Sequence, residues 1–182
     1  MRNTLLAGAL ALAACSAPPR ERFYTLDAPE PPPAPQAPYA IAVGPVSVPE
    51  LVDRPQFVVR VSANQVAIAE QARWAEPLRH AIARVVAANL ANELGVRALA
   101  QRGAAADYRI ALDVQRFEST PGEGVLVDAL WTVLGPKGVR SNGRSLVRES
   151  VKGRDYDALA GAHSAALASI SKEIAQAIRA EK

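Results

Sequence analysis

Cysteine is almost absent from this sequence, because Cys15 is the only one in 182 residues. A single cysteine excludes an intramolecular disulfide, so the fold must be held by its hydrophobic core alone. It also leaves no cluster of cysteine and histidine with the spacing of a zinc site. Cys15 directly follows an apolar run near the start of the chain, and that position needs its own explanation.

Residues typical of catalysis are equally scarce. The two histidines are His80 and His163, and both lie in predicted helices. The sequence contains no HExxH, no GxSxG and no P-loop pattern. His163 lies on the apolar stripe of its helix, where a partly buried structural histidine is more frequent than a catalytic one, and His80 is expected to face solvent. We therefore predict a protein that is not an enzyme and holds no metal or cofactor.

The charge is not strongly one-sided. Lysine and arginine number 21 against 18 aspartates and glutamates, and the basic residues are scattered along the chain. A nucleic-acid-binding protein would carry a basic patch or stripe. The sequence therefore predicts no nucleic-acid partner.

The start of the chain has the layout of a secretory signal peptide. Arg2 precedes LLAGALALAA, residues 5–14, and this apolar run is too short to span a bilayer as a permanent helix. The segment from Leu12 to Cys15, LAAC, resembles a bacterial lipobox. This implies that residues 1–14 are a lipoprotein signal peptide and that Cys15 is acylated, which anchors the chain in a membrane. Ser16, where an aspartate would indicate inner-membrane retention, favours the outer membrane. A secreted protein with a free thiol is the alternative.

Residues 15–38 are predicted to form the lipidated cysteine and a proline-rich tether. APEPPPAPQAP, residues 28–38, favours polyproline II, a semi-rigid spacer of about 3.1 Å per residue. FYTL, residues 23–26, is a β-prone island before it. We expect FYTL to form a short strand docked on the domain, with the proline run crossing the surface. A linker of no specific use is the alternative for the proline run.

Residues 39–182 are predicted to form a single domain. Alternating apolar residues predict strands at residues 39–48, 57–61, 66–70, 107–117, 125–134 and 144–151. Apolar residues at three- and four-residue spacing predict one helix over residues 75–94, ended by Gly95, and a final helix carrying Tyr156 through Ile178. Trp131 is expected in the core. The predicted class is α+β: a mostly antiparallel sheet with two amphipathic helices packed on one face, a two-layer sandwich.

One long stretch carries a family resemblance. VGPVSVPELVDRPQFVVRVSANQVAIAEQARWAEPL, residues 43–78, resembles the signature of the ABC-type transport auxiliary lipoproteins, the PqiC/YmbA-type family. The features that match are GPV, DRPQ, VVR, SAN and RWAEPL, together with the early YTL element. RFE…PGEGVLVDALWTV, residues 116–133, is similar to a later part of that family. The longer proline-rich insert is a departure from the family pattern.

The resemblance implies a function. Such lipoproteins face the periplasm at the outer membrane and accompany transporters that contain MCE-domain proteins, whose tubes are implicated in lipid transport between the two membranes. The chain would be a non-catalytic auxiliary subunit that docks the distal end of such a tube and supports envelope integrity, with self-assembly into a homo-oligomeric ring as a further expectation. The alternatives are a domain that itself holds a lipid or another apolar ligand between helices and sheet, and a purely structural envelope lipoprotein.

The candidate contact with the partner is the loop VPELVDRPQ, residues 48–56, because its two prolines interrupt sheet hydrogen bonding and its side chains mix apolar and charged groups. A local pair between Asp53 and Arg54 that merely fixes the loop is the equal alternative. Around the helix start, a structural role is expected for Trp74, Glu76 and Pro77. The predicted partner-binding residues are Leu51, Asp53, Arg54, Pro55 and Gln56.

Overall fold

The computed structural model describes residues 20–30, 37–100 and 106–180. The predicted signal peptide, Cys15 and residues 31–36 of the proline run lie outside these ranges. The elements follow one another in the order β1 (Arg22–Tyr24), β2 (Ala40–Ser47), β3 (Gln56–Ser62), β4 (Gln65–Trp74), α1 (Leu78–Leu94), β5 (Arg97–Leu99), β6 (Tyr108–Thr120), β7 (Gly124–Gly135), β8 (Gly138–Ser150) and α2 (Tyr156–Ala180).

The strands form two mixed sheets, and the α+β class predicted from the sequence is confirmed. One sheet has the order β1-β4-β3 and the other β5-β2-β6-β7-β8. The hairpin pairs β3–β4, β6–β7 and β7–β8 are antiparallel, whereas β1–β4, β2–β5 and β2–β6 are parallel. The pairing is therefore less uniformly antiparallel than expected. Short turns reveal hairpins in a sequence, but parallel pairs join strands that are distant along the chain.

β5 was not predicted, and β8 is longer than predicted. β5 has only three residues, too few to show an alternating pattern. β8 begins at Gly138 rather than at the predicted residue 144, and it runs through SNG, residues 141–143. Gly143 lies opposite Trp131, and a Cβ at this glycine would be 2.4 Å from Trp131 Cζ2. Residue 143 is a glycine within a strand because the Trp131 indole leaves no room for a side chain, and the chain does not turn there.

The two helices pack together on one face of the five-stranded sheet, as expected. α1 contacts β2 and β5, α2 contacts β7 and β8, and the helices contact each other. α1 begins at Leu78 rather than residue 75, with Pro77 at its N-cap, and ends at Gly95 in the left-handed conformation, φ 63°. No helix in the three described ranges is long and apolar enough to cross a membrane.

The core lies between the helices and the sheet. On β7 the residues at every second position are buried, from Val125 to Val133. Trp131 is among them, as predicted, and its indole N–H donates to Ser145 Oγ at 3.0 Å. Alternation of this kind places one strand face against the helices and leaves the other face outward.

The first strand is part of the domain. β1 pairs in parallel with the end of β4, so that Arg22 lies opposite Ala72 and Tyr24 opposite Trp74. Leu26, just after β1, is fully buried. Its carbonyl oxygen accepts a hydrogen bond from Arg84 Nη2 at 2.9 Å. The proline run therefore connects β1 to β2, and only the residues before β1 separate Cys15 from the domain.

Candidate functional site

A groove lies beside the part of β6 that extends beyond its pairing with β2. β2 ends at Ser47, opposite Asp113, whereas β6 continues to Thr120. The second half of β6 therefore has β7 on one side and, on the other, β3 and the loop of residues 48–55. The groove between them has a volume of about 110 Å³ and is lined by Pro49, Leu51, Val52, Val58, Arg60, Val66 and residues 115–119 of β6.

The loop of residues 48–55 has a defined shape. The backbone N–H groups of Val52 and Asp53 both donate to the Pro49 carbonyl, at 3.0 and 3.1 Å. The Val52 side chain is buried, with 8% exposed, whereas Leu51 is 46% exposed. The tight turn thus fixes the loop through Val52 and presents Leu51 at the groove.

The structure separates the predicted contact residues into two groups. Leu51 lines the groove, together with Pro49. The Asp53 carboxylate forms an ion pair with Arg79 at the start of α1, with 3.3 Å between Oδ2 and Nη2, instead of the local pair with Arg54. The Pro55 carbonyl accepts the N–H of Trp74 at 2.7 Å. These contacts hold the loop against α1 and β4, so Leu51 is the predicted residue best placed to meet a partner.

The remaining two predicted residues lie beside the loop's anchoring contacts. Gln56 is the first residue of β3 and lies opposite Arg73 of β4. Arg54 is partly buried, and its Nε is a buried donor that finds no hydrogen-bond acceptor among the described residues. The helix start has the structural role expected for it, because the Trp74 ring stacks on Phe57 with 4.0 Å between centroids.

Charged side chains form the rim of the groove. Glu118 of β6 accepts hydrogen bonds from Arg116 Nε and Nη2 at 2.9 and 3.0 Å. It also accepts one from Arg60 Nε of β3 at 3.0 Å. The hydrogen bonds from Arg116, followed by those from Arg60, hold the pKa of the Glu118 carboxyl below its usual value against the opposing effect of burial. The rim is therefore charged at neutral pH, two cations to one anion.

Behind the groove lies a buried histidine. His163 of α2 is fully buried, stacks on Phe117 with 3.7 Å between ring centroids, and its Nε2 lies 2.8 Å from Ser119 Oγ. Burial lowers the pKa of His163 to about 3. An imidazole of such low basicity is poorly matched to removing a proton from the serine hydroxyl near neutral pH. His163 is thus in the apolar stripe, as expected, and more deeply buried than expected.

The chemistry available in this region is that of a contact surface. His80 is exposed on α1, as expected. Within residues 20–30, 37–100 and 106–180, no group of three His, Cys, Asp or Glu side chains is arranged to hold a metal ion. An apolar loop residue beside a charged rim suits recognition of another molecule.

Sequence reasoning missed the rim. Arg116 and Glu118 alternate with Phe117, which is the signal for two outward-facing side chains on a strand. Their meeting with Arg60 depends on the packing of β3 against the second half of β6, and these residues are 58 positions apart in the chain. A local sequence pattern does not predict a contact between residues so far apart.

Comparisons with known proteins place this fold and this chain. A crystal structure of an uncharacterised protein superposes with a TM-score of 0.76 at 20% identity, covering 88% of this chain and 99% of that one. A Xanthomonas campestris protein of the DUF330 family superposes with a TM-score of 0.69 at 23% identity, covering 85% and 92%. At these identities the likeness shows the fold. No curated protein matches the sequence.

The family is shown by a sequence model. The model of the ABC-type transport auxiliary lipoprotein component matches residues 24–175, and the chain belongs to that family. The resemblance found in the sequence is thereby confirmed. Membership implies a membrane-anchored periplasmic lipoprotein associated with an ABC-type transport system, in a role that is auxiliary rather than enzymatic.

Proposed function

We propose that this member of the ABC-type transport auxiliary lipoprotein family is an outer-membrane lipoprotein, acylated on Cys15, that docks an MCE-domain tunnel protein on the periplasmic face. In this role it serves a lipid transport system that maintains the envelope, with assembly of several copies into a ring as part of the same proposal. The domain supplies a binding surface and no chemical step.

The observation that carries the docking proposal is the groove with Leu51 at its edge. Leu51 is 46% exposed on a loop whose backbone is fixed by two hydrogen bonds to the Pro49 carbonyl. A rigid loop that presents an apolar side chain loses little conformational freedom on binding. Arg60, Arg116 and Glu118 beside it provide polar contacts around that apolar centre. Docking through an edge of this kind requires no internal cavity.

The size of the groove favours docking over the alternative of holding a lipid in it. Pockets for small molecules have volumes of roughly 300 Å³ or more. The groove, at about 110 Å³, is well below that. An acyl chain would not be enclosed there, whereas one or two side chains of a partner would fit.

Recovery of partners from the native envelope tests this proposal. The tagged full-length protein is purified from a detergent extract, and the proteins that accompany it are identified by mass spectrometry. We expect an MCE-domain protein, and we expect Leu51→Asp to remove it because a charge would be desolvated at the contact. Leu146→Asp is the matched control, since Leu146 is 48% exposed on β8.

Each other outcome has a distinct meaning. If the MCE-domain protein is still recovered with the Leu51→Asp variant, the transporter role stands and this contact surface is refuted. An MCE protein missing from every preparation, with lipid bound to the domain, would favour the ligand-binding alternative. The double change of Asp53 and Arg54 to alanine is a weaker test, because Asp53 also holds Arg79 at the start of α1.

A further inference from the structure

The tip of the β3–β4 hairpin is exposed and carries no charge. Every residue from 61 to 68, VSANQVAI, is exposed, and none of them is ionisable. Val61 is 57%, Val66 38% and Ile68 41% exposed. We call residues 61–68 the hairpin tip.

Such a tip is unusual for a sheet that faces water. β3 is an outer strand of its sheet, and β1 pairs only with residues 72–74 of β4, so within the described residues both edges of the tip lack a neighbouring strand. Natural proteins protect free strand edges with charged side chains or proline. Residues 61–68 contain neither, and the charge that reaches the tip is that of Arg60, whose Nη1 donates to the Ser62 and Ala63 carbonyls at 3.4 and 3.0 Å. The exposed valine and isoleucine side chains indicate that something covers the tip.

The position of β1 indicates what lies beside the tip. β1 runs parallel to β4, so the chain before Arg22 leaves the domain toward the start of β4 and the turn at Asn64. The Glu21 carboxylate forms an ion pair with Arg73, with 2.8 Å between Oε1 and Nη2. This contact keeps residue 21 beside β4, on the side from which the tip projects.

The length of chain between the anchor and β1 is short. Cys15 precedes Arg22 by seven residues, and a fully extended chain of that length spans at most about 25 Å. From Ala72, opposite Arg22, to Asn64 in the turn is eight residues, which reach at most about 26 Å along a strand. The chain from Cys15 is therefore long enough for its acyl group to reach as far from β1 as the hairpin tip does.

We propose that the hairpin tip lies in the headgroup region of the membrane in which Cys15 is anchored, with Val61 and Ile68 against lipid and Val66 left at the groove. The proposal rests on the proposed acylation of Cys15. Residues 61–68 enter the interface without the desolvation that a buried charge would require, and the Arg60 guanidinium, bonded to the Ser62 and Ala63 carbonyls, would lie at the level of the lipid phosphates. Arg20 and Arg22, both exposed, lie on the connection to the anchor, where cationic side chains are attracted to lipid phosphates. The contact would make the domain's orientation at the membrane fixed rather than free.

The lone cysteine makes this testable in the full-length lipoprotein. Acylation converts the Cys15 sulfur to a thioether, so a cysteine introduced elsewhere is the only thiol. Val61→Cys places an environment-sensitive fluorophore on the tip. Val139→Cys is the matched control, because Val139 is 62% exposed and Val61 57%. The control lies far from the tip. Val139 pairs with Leu134, and Leu134 pairs with Arg109 of β6. Arg109 is nine residues, or about 30 Å of strand, from Glu118, which contacts Arg60 next to the tip.

Both labelled proteins are reconstituted into vesicles of phosphatidylethanolamine and phosphatidylglycerol, with and without doxyl-labelled phosphatidylcholine. We expect the label at residue 61 to shift to shorter wavelength and lose intensity when the doxyl lipid is present, and the label at residue 139 to change in neither respect. Adding Ile68→Glu to the Val61→Cys protein should reverse the shift and restore the intensity while the protein still floats with the vesicles.

The remaining outcomes overturn the proposal. Equal emission from both labels on floating vesicles shows that the tip is in water, while the anchor stands. If the label at residue 61 shifts to shorter wavelength only at high protein density and keeps its intensity when the doxyl lipid is present, a second copy of the chain, not lipid, covers the tip. Protein that fails to float with the vesicles refutes the acylation of Cys15 and, with it, the contact proposed here.

Discussion

Arg60 of β3 and Glu118 of β6 join the two sheets beside the groove. Arg60 Nε donates to Glu118 Oε2 at 3.0 Å, and Arg60 Nη2 lies 2.9 Å from Oε1. The same carboxylate accepts two hydrogen bonds from Arg116. A carboxylate held by two guanidinium groups fixes the separation of β3 and β6, and this separation is the width of the groove.

Arg60→Met should weaken the link between the sheets while keeping an apolar stem. The Arg60 and Glu118 side chains are 30% and 22% exposed, so the pair is partly screened by solvent. We expect the free energy of unfolding in urea to fall by about 1 kcal/mol or less, and less at high salt. Arg148→Met, on the exposed surface of β8, should change it little. Equal losses in the two variants would contradict a specific role for Arg60.

The sequence predicts the hairpins of this fold and misses the pairs that cross between them. SAN at residues 62–64 and PGEG at residues 121–124 join neighbouring predicted strands, and both joins are hairpin turns in the structure. The parallel pairing of β2 with β6 brings together Ile41 and Tyr108, between which the chain forms three other strands and a helix. Such pairing depends on the packing of the whole domain, and a local sequence pattern contains no information about it.

The candidate site shows the same division. The exposed loop of residues 48–56 follows from two prolines that a central strand would exclude. The groove beside it exists because β6 is longer than β2 at the end where they stop pairing, and strand lengths were predicted less accurately than strand positions. Asp53 was predicted to bind the partner, with a local pair to Arg54 as the equal alternative, and in the structure it forms an ion pair with Arg79 of α1.

Two glycine-to-alanine changes should have opposite effects on stability. A Cβ at Gly143 would lie 2.4 Å from Trp131 Cζ2, and Trp131 is a core residue. Gly143→Ala should therefore destabilise the domain by roughly 2 kcal/mol through overpacking. Gly161 lies on the exposed side of α2 with nothing within 4 Å of an added Cβ, so Gly161→Ala should stabilise it by about 1 kcal/mol. Thermal unfolding followed by circular dichroism measures both, and a stable Gly143→Ala protein would show that the indole can move aside.

Ser16 should determine which membrane retains the lipoprotein. By resemblance to known sorting rules, an aspartate after the acylated cysteine retains a lipoprotein in the inner membrane, and this chain has Ser16 instead. We expect the wild-type protein in the outer-membrane fraction of a sucrose gradient and Ser16→Asp in the inner-membrane fraction. Ser16→Ala is the control and should stay in the outer membrane. If the serine and aspartate proteins occupy the same fraction, residue 16 does not sort this lipoprotein.

Burial of His163 should make the fold sensitive to acid. The pKa of this histidine is about 3 in the folded domain, against about 6.5 in an unfolded chain. Below pH 6.5 the unfolded chain binds a proton that the folded domain does not, so stability is full above that pH and falls as the pH decreases toward 3.

Between pH 7 and pH 5, His163 alone should therefore lower the free energy of unfolding by about 2 kcal/mol. His163→Gln removes the titrating group while its side-chain amide can still bond to Ser119, and urea unfolding at the two pH values should show a correspondingly smaller loss. His80→Gln changes the exposed histidine of α1 and should leave the wild-type loss unaltered. A His163→Gln protein that loses as much stability as the wild type would mean that the folded domain admits the proton, and that water reaches Nδ1, which has no hydrogen-bond partner among the described residues.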